Sequence, residues 1–119
     1  MTVAGDDGFE LVAYEADLAE GETLGVETPG GEQICLVNVR GEICAVHDVC
    51  THAEFPMHEG SLLPDGTLEC VWHGARFDPR TGAATRGPAV DPLPTYEVRV
   101  TNGEIHVGRR RVDARGEAT

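Results

Sequence analysis

Turn-forming sequences divide this 119-residue chain into apolar segments that are too short for ordinary helices. No stretch sustains a 3.6-residue apolar period over three turns, and the longer segments alternate or run apolar for five to seven residues. The turn sequences supply the residues that tight turns require: Pro29-Gly30-Gly31, Arg40-Gly41, Pro64-Asp65-Gly66, Asp78-Pro79-Arg80-Thr81-Gly82 and Asn102-Gly103. The pattern therefore predicts an all-β protein built from antiparallel hairpins.

The expected elements divide into two groups. A basal β part is predicted over about 9–48 and 92–108, and an inserted segment with less alternation over about 49–91. Residues 109–119 are predicted to form a loose tail, and one helical turn is expected near 15–19. The predicted strands are 9–13, 23–27, 33–39, 42–47, 61–62, 67–69, 76–77, 83–84, 96–101 and 104–107.

Length and charge exclude several classes of protein. The chain is long enough for a single domain only. Its net charge of −12, without any lysine, argues against binding to nucleic acid or to an anionic membrane. No apolar run approaches the length of a membrane helix, and the N-terminal sequence lacks the features of a signal peptide. We expect a cytoplasmic monomer whose acidic first half, residues 1–48, steers partners with basic surfaces.

Two pairs of metal-binding residue types lie within the inserted segment. Cys50-Thr51-His52 is followed, after 17 residues, by Cys70-Val71-Trp72-His73. In a reducing compartment, cysteines in such pairs are more often metal ligands than disulfides. A tetrahedral zinc site is one reading, but the single residue between Cys50 and His52 suits one ion poorly. Two adjacent metal ions fit better, because each loop can give its Cys to one ion and its His to the other.

These residues resemble the motif of Rieske [2Fe–2S] proteins. The similarity extends to Gly74-Ala75-Arg76-Phe77-Asp78, to Gly87-Pro88 and to the run 93–98. The resemblance implies the Rieske fold, in which antiparallel β-sheets carry an inserted cluster-binding subdomain of two loops. It also implies one [2Fe–2S] cluster, with Cys50 and Cys70 on one iron and His52 and His73 on the other.

The resemblance also bears on the reduction potential. High-potential Rieske proteins carry an additional Cys in each loop, which form a disulfide, and a Ser after the second His-Gly. This chain has Phe55, Trp72 and Ala75 at those positions. Without the disulfide and the hydroxyl hydrogen bond to sulfur, the reduced cluster is less stabilised, so we expect a potential near the low end of the Rieske range, about −150 mV.

As a function, the resemblance implies a one-electron carrier. Soluble ferredoxins of this type pass electrons from an NAD(P)H-dependent, flavin-containing ferredoxin reductase to the terminal oxygenase of an aromatic-ring-hydroxylating dioxygenase. The chain is not expected to be an enzyme, since no mononuclear iron site can be assembled from the roughly 25 residues after the Rieske segment. Two alternatives remain: the small Rieske subunit of an assimilatory nitrite reductase, and a zinc-binding interaction module.

The remaining cysteines and histidines are given structural roles. A two-residue turn at Arg40-Gly41 places Cys35 and Cys44 diagonally across a hairpin, which is poor geometry for a disulfide. Both are expected to be buried thiols. His47, His58 and His106 match no ligand position in the motif and are predicted to be surface or strand histidines.

Overall fold

The computed structural model describes residues 9–49, 56–70, 75–86 and 92–111 of the chain. Across these ranges ten strands form two antiparallel sheets, one of six strands and one of four. Two short 3₁₀ turns, Glu15–Asp17 and Met57–Glu59, are the helical content of this part of the chain. The strands are β1 (Glu10–Tyr14), β2 (Thr23–Glu27), β3 (Gln33–Val39), β4 (Glu42–His47), β5 (Ser61–Leu62), β6 (Leu68–Glu69), β7 (Arg76–Phe77), β8 (Ala84–Arg86), β9 (Thr95–Thr101) and β10 (Glu104–Arg111). The all-β prediction is confirmed.

The six-stranded sheet combines the two ends of the chain. Its order is β1-β10-β9-β4-β3-β2, and β4 joins the halves by pairing with β9, with Ala45 opposite Tyr96. The two edge strands, β1 and β2, also contact each other, so the sheet curls around an apolar interior. That interior contains Ala13, Leu18, Ile34, Leu36, Ala45, Tyr96, Ile105 and Val107.

Strand β3 connects this interior to a second one. Six of its seven residues are buried, and alternate side chains point to opposite faces of the sheet. Ile34 and Leu36 belong to the first interior, whereas Cys35 and Val37 belong to the second. The second interior, called the lower core below, holds the four-stranded sheet (order β5-β6-β7-β8) against the larger one. Its members are Cys35, Val37, Val39, Cys44, Val46, Met57, Leu68, Cys70, Ala75, Phe77 and Leu93.

Two hairpin turns have the predicted geometry. Arg40 and Gly41 have φ values of 55° and 96°, and Asn102 and Gly103 have values of 54° and 79°. Positive φ at both central residues is the mark of a type I′ turn, which suits the twist of a hairpin. The β3–β4 register places Cys35 opposite Val46 and Val37 opposite Cys44, as the sequence predicted.

One prediction about the C-terminal end is wrong. Strand β10 continues beyond Val107 to Arg111, whereas residues 109–111 were expected to belong to a loose tail. A bulge follows Val107, after which Arg110 pairs with Tyr96. Backbone pairing with β9 outweighs the polar composition that suggested a tail. Gly108 lies in the bulge beneath the ring of Phe9, where a Cβ atom would lie 2.8 Å from a ring carbon.

None of the helical turns in the described ranges is long and apolar enough to cross a membrane.

Candidate metal centre

Cys70 is the one predicted ligand that the structure describes. It follows β6 and is 1% exposed. Its backbone N–H donates to the Ala75 carbonyl over 2.8 Å, so the two residues that flank 71–74 are hydrogen-bonded to each other. His73 lies in this segment, and Cys50 and His52 lie in 50–55, so these three predicted ligands are outside the described residues.

The residues on either side of 50–55 are also paired with each other. Val49 and Pro56 form an antiparallel bridge, and the Met57 N–H donates to the Asp48 carbonyl over 3.1 Å. Val49 and Pro56, the residues that flank 50–55, therefore lie next to each other. We call 49–56 loop 1 and 70–75 loop 2.

The ends of both loops pack on the same apolar base. Met57, which follows loop 1, and Cys70 and Ala75, which bound loop 2, are all members of the lower core. Each of the three side chains is at most 1% exposed. A thiol at this position is shielded from water, and thiolate sulfur is the ligand that iron–sulfur clusters require. The buried Cys70 side chain therefore fits a cluster held between the two loops.

A close backbone approach holds the chain after loop 1 against β6, the strand that leads to loop 2. Gly60, directly after the Met57–Glu59 turn, lies so near Glu69 that a Cβ atom on Gly60 would be 2.0 Å from the Glu69 carbonyl oxygen. No side chain can be placed at that distance without moving the backbone. Glu69 is the residue before Cys70, so the chain after loop 1 contacts the start of loop 2 directly.

Sequence reasoning missed a buried carboxylate at the base of loop 1. Asp48 is 7% exposed and both its carboxylate oxygens bind His58. Oδ1 accepts the His58 backbone N–H over 2.7 Å, and Oδ2 lies 2.6 Å from the ring Nδ1. The signal in the sequence was the placement of an acid and a histidine on either side of the Cys50–His52 pair, but spacing alone does not distinguish such a contact from two surface residues.

The predictions for Cys35, Cys44, His47 and His106 agree with the structure. Cys35 and Cys44 are buried thiols. Burial raises the pKa of the Cys35 thiol far above its ordinary value, and the negative charge of Asp48 adds to the effect. His47 lies on β4 and His106 on β10. Within the described ranges no three His, Cys, Asp or Glu side chains gather as a metal site would require.

Comparison with known proteins shows a similarity that extends well beyond the Cys-His motif. The model of the Rieske [2Fe–2S] domain matches residues 8–97. The 3-phenylpropionate/cinnamic acid dioxygenase ferredoxin subunit of Escherichia coli K12 is 46% identical over 92 residues, which cover 77% of this chain and 85% of that protein.

Solved structures give the same picture. A chain from the complex of reduced oxygenase and oxidized ferredoxin in carbazole 1,9a-dioxygenase superimposes with a TM-score of 0.82 at 29% identity, covering 90% of this chain and 99% of that one. A putative NADH-dependent nitrite reductase small subunit from Mycobacterium tuberculosis superimposes with a TM-score of 0.76 at 25% identity, covering 87% and 96% of the two chains.

Proposed function

Because the chain belongs to the Rieske [2Fe–2S] family, we propose that it is the ferredoxin of an aromatic-ring-hydroxylating dioxygenase system. It carries one electron at a time from an NAD(P)H-dependent flavin reductase to the terminal oxygenase. The observation that carries this proposal is 46% identity to a dioxygenase ferredoxin subunit, 85% of whose length is matched. The chain is a carrier and not an enzyme, and its cofactor is a Rieske-type cluster.

The proposed ligands are Cys50 and Cys70 for one iron and His52 and His73 for the other. Their order and spacing support the assignment, and so does the burial of Cys70 over the lower core. When bound, the cluster supplies a site that accepts and releases a single electron. The chain contributes the two ligand-bearing segments, whose flanking residues are paired, and an apolar base that excludes water from Cys70.

The arrangement of the two sheets supports the proposed division of the chain. The basal part comprises about 9–48 and 92–108, extended to 111 by β10, and the cluster-binding subdomain comprises about 49–91. The four-stranded sheet lies wholly within the second segment, which supports the division. The basal sheet positions both loops through β3 and β4, whose side chains form much of the lower core.

The proposed partners are the reductase and the oxygenase, met in turn by a cytoplasmic monomer. The carbazole structure is of a complex between an oxygenase and a ferredoxin, which supports direct docking to an oxygenase. A carrier that exchanges partners needs small transient interfaces, and redox complexes of this kind bury little surface.

A nitrite reductase small subunit is the second candidate, since one such protein shares the fold. Its 25% identity is well below the 46% identity to the dioxygenase ferredoxin subunit, and the intact Cys-His pairs favour the carrier. A zinc module would hold the same residue types but would be colourless.

Spectroscopy and reconstitution separate these functions. The purified protein should be red-brown and, after dithionite reduction, should give a Rieske EPR signal. It should also support turnover when added to a dioxygenase reductase and oxygenase. A colourless protein containing zinc would contradict the cluster. A Rieske signal without electron transfer to any dioxygenase oxygenase, but with assembly onto a nitrite reductase large subunit, would favour the second candidate.

Replacing His52 with Cys tests the ligand assignment. A third thiolate makes the cluster more negative, which opposes addition of an electron, so the reduction potential should fall toward that of all-cysteine clusters, at about −400 mV. Spectroelectrochemistry measures the change, with His106→Cys as a control outside the motif. An unchanged potential in His52→Cys would contradict the assignment.

A further inference from the structure

Asp48 and His58 are ten positions apart in the sequence, and loop 1 lies between them. Asp48 directly precedes loop 1, and His58 lies two residues after its end. The two oxygens of one carboxylate accept from the backbone N–H and the ring Nδ1 of one histidine, at 2.7 and 2.6 Å. A carboxylate only accepts hydrogen bonds, so the ring Nδ1 carries a proton in this contact.

Both main-chain polar groups of Asp48 also form hydrogen bonds. Its N–H donates to the Gln33 carbonyl of β3 over 3.0 Å, and its carbonyl accepts from the Met57 N–H. The Asp48 side chain is 9% exposed, and burial of a carboxylate is tolerated only when its oxygens have donors. Asp48 therefore ties the entrance of loop 1 to β3 and to the exit of the same loop.

His58 is held from a second direction by β2. The Thr23 hydroxyl donates to the His58 carbonyl over 2.8 Å. The ring lies against Gly25, where a Cβ atom would be 2.6 Å from Nδ1, the same atom that binds Asp48. A residue with a side chain at position 25 would displace the ring from the carboxylate. The sequence of β2 thus permits the contact by having glycine at this one position.

We propose that Asp48 and His58 are positioning residues for the cluster: their contact sets where loop 1 holds Cys50 and His52 relative to loop 2. Neither residue is a ligand, and the proposal rests on the ligand set given above. Residues that orient metal ligands without touching the metal typically change metal affinity about 10- to 100-fold when they are removed. His58 also provides the donor that compensates the buried carboxylate, so its loss leaves more uncompensated negative charge near the cluster.

The main test is His58→Ala in the cluster-loaded protein. The His58 side chain is 38% exposed, so its removal does not open the apolar core. We expect iron to be lost to a chelator about tenfold faster, the reduction potential to fall and the EPR spectrum to change. His58→Asn places an amide donor near the position of Nδ1 and should restore most of all three properties. Gly25→Ala should resemble His58→Ala, because it displaces the ring and leaves both partners intact.

Glu42→Gln provides the matched control. Glu42 Oε1 lies 2.9 Å from Arg80 Nε, so this variant also weakens an acid–base contact between distant segments by removing the charge of the acid, but at the other end of β4. It should leave iron release, potential and EPR spectrum unchanged.

Three outcomes would overturn the proposal. His58→Ala could keep the wild-type rate of iron loss, reduction potential and EPR spectrum even if its melting temperature falls. That result would show that His58 stabilises the fold in general and does not position the cluster ligands. Glu42→Gln could reproduce the changes, or His58→Asn could fail to reverse them. These failures differ from failure of the proposed function, in which the wild-type protein itself would lack a Rieske signal.

Discussion

At the scale of single residues, burial decides what each sulfur and its neighbours can do. Cys70 and Ala75 both lie in the lower core and are joined by a backbone hydrogen bond. Ala75 occupies the position at which high-potential Rieske proteins carry Ser, and it is 0% exposed. A hydroxyl at this site would have no access to water and would have to donate within the protein. The resemblance to high-potential Rieske proteins implies that such a hydroxyl donates to a sulfur of the cluster.

Ala75→Ser is therefore expected to raise the reduction potential. A hydroxyl hydrogen bond to sulfur is stronger when the cluster carries the additional negative charge. Each 1 kcal/mol of that difference corresponds to about 40 mV for a one-electron couple. Spectroelectrochemistry of the variant beside the wild type measures the shift, and Ala75→Gly controls for altered packing. A potential equal to or below that of wild type would refute the expectation.

The Cys35 thiol should be chemically inert in the folded protein. Burial, followed by the negative charge of Asp48, raises the pKa of this thiol, so it stays protonated as the pH rises through the ordinary thiol value of about 8.5. The thiolate is the nucleophile, so alkylation of Cys35 should remain slow from pH 7 to pH 9.5 while the rate for an exposed thiol climbs. Mass spectrometry of iodoacetamide-treated protein, native and urea-unfolded, gives the rates. Rapid labelling of native Cys35 at pH 9 would contradict this.

At the scale of elements, turns whose sequences look alike differ in what surrounds them. Gly82 and Gly103 both end turns with positive φ, at 82° and 79°. A Cβ atom on Gly103 would meet nothing within 4 Å, whereas one on Gly82 would lie 2.0 Å from the Leu93 carbonyl oxygen. Gly82 also accepts the Leu93 N–H over 2.7 Å. The 78–82 turn of the smaller sheet is thereby docked on the segment that leads into β9.

Alanine at these two positions separates local strain from tertiary contact. Gly103→Ala should lower the free energy of unfolding by about 1–2 kcal/mol, which is the cost of the left-handed conformation for a residue with a Cβ atom. Gly82→Ala bears the same cost and must also displace the 92–94 segment, so its melting temperature should fall considerably further. Calorimetry of the two variants, each with its cluster bound, measures the two melting temperatures. Equal losses would show that the contact with Leu93 contributes nothing.

At the scale of the whole molecule, the acidic first half forms an exposed surface. Arg40 is the only arginine or lysine among positions 1–48. Among residues 9–48, the part of this half that the structure describes, the exposed acidic side chains are Glu15, Asp17, Glu20, Glu22, Glu27, Glu32 and Glu42. A surface of one sign steers partners of the opposite sign, and salt screens charges separated by more than about 8 Å at physiological ionic strength.

Reduction by the reductase should therefore slow as salt is added. We expect the bimolecular rate to fall about tenfold between low salt and roughly 0.5 M salt. The triple variant Glu15→Gln, Asp17→Asn, Glu20→Gln should be slower at low salt and less sensitive to salt. Glu97→Gln, an exposed acid in the second half, serves as the control. Stopped-flow reduction measures the rates, and a wild-type rate independent of ionic strength would exclude steering.

The sequence by itself determined the all-β class, most strands and the β3–β4 register. These depend on local chemistry, since Gly and Asn permit the positive φ of type I′ turns and alternation assigns each strand a face. It also indicated the cofactor, because few metal ions or clusters are bound by two Cys-His pairs at this spacing. Only the tertiary structure decided that β10 continues to Arg111. The extension depends on backbone pairing with β9, which the composition of residues 109–111 does not indicate.

The contact between Asp48 and His58 was also beyond the sequence. It depends on β2 passing beneath the ring with glycine at position 25, and on the buried carboxylate having both of its oxygens bound to His58. Spacing along the chain shows which residues could bind a metal. The packing of distant strands around the two loops decides which other residues hold those ligands in place, because that depends on burial and direction in space.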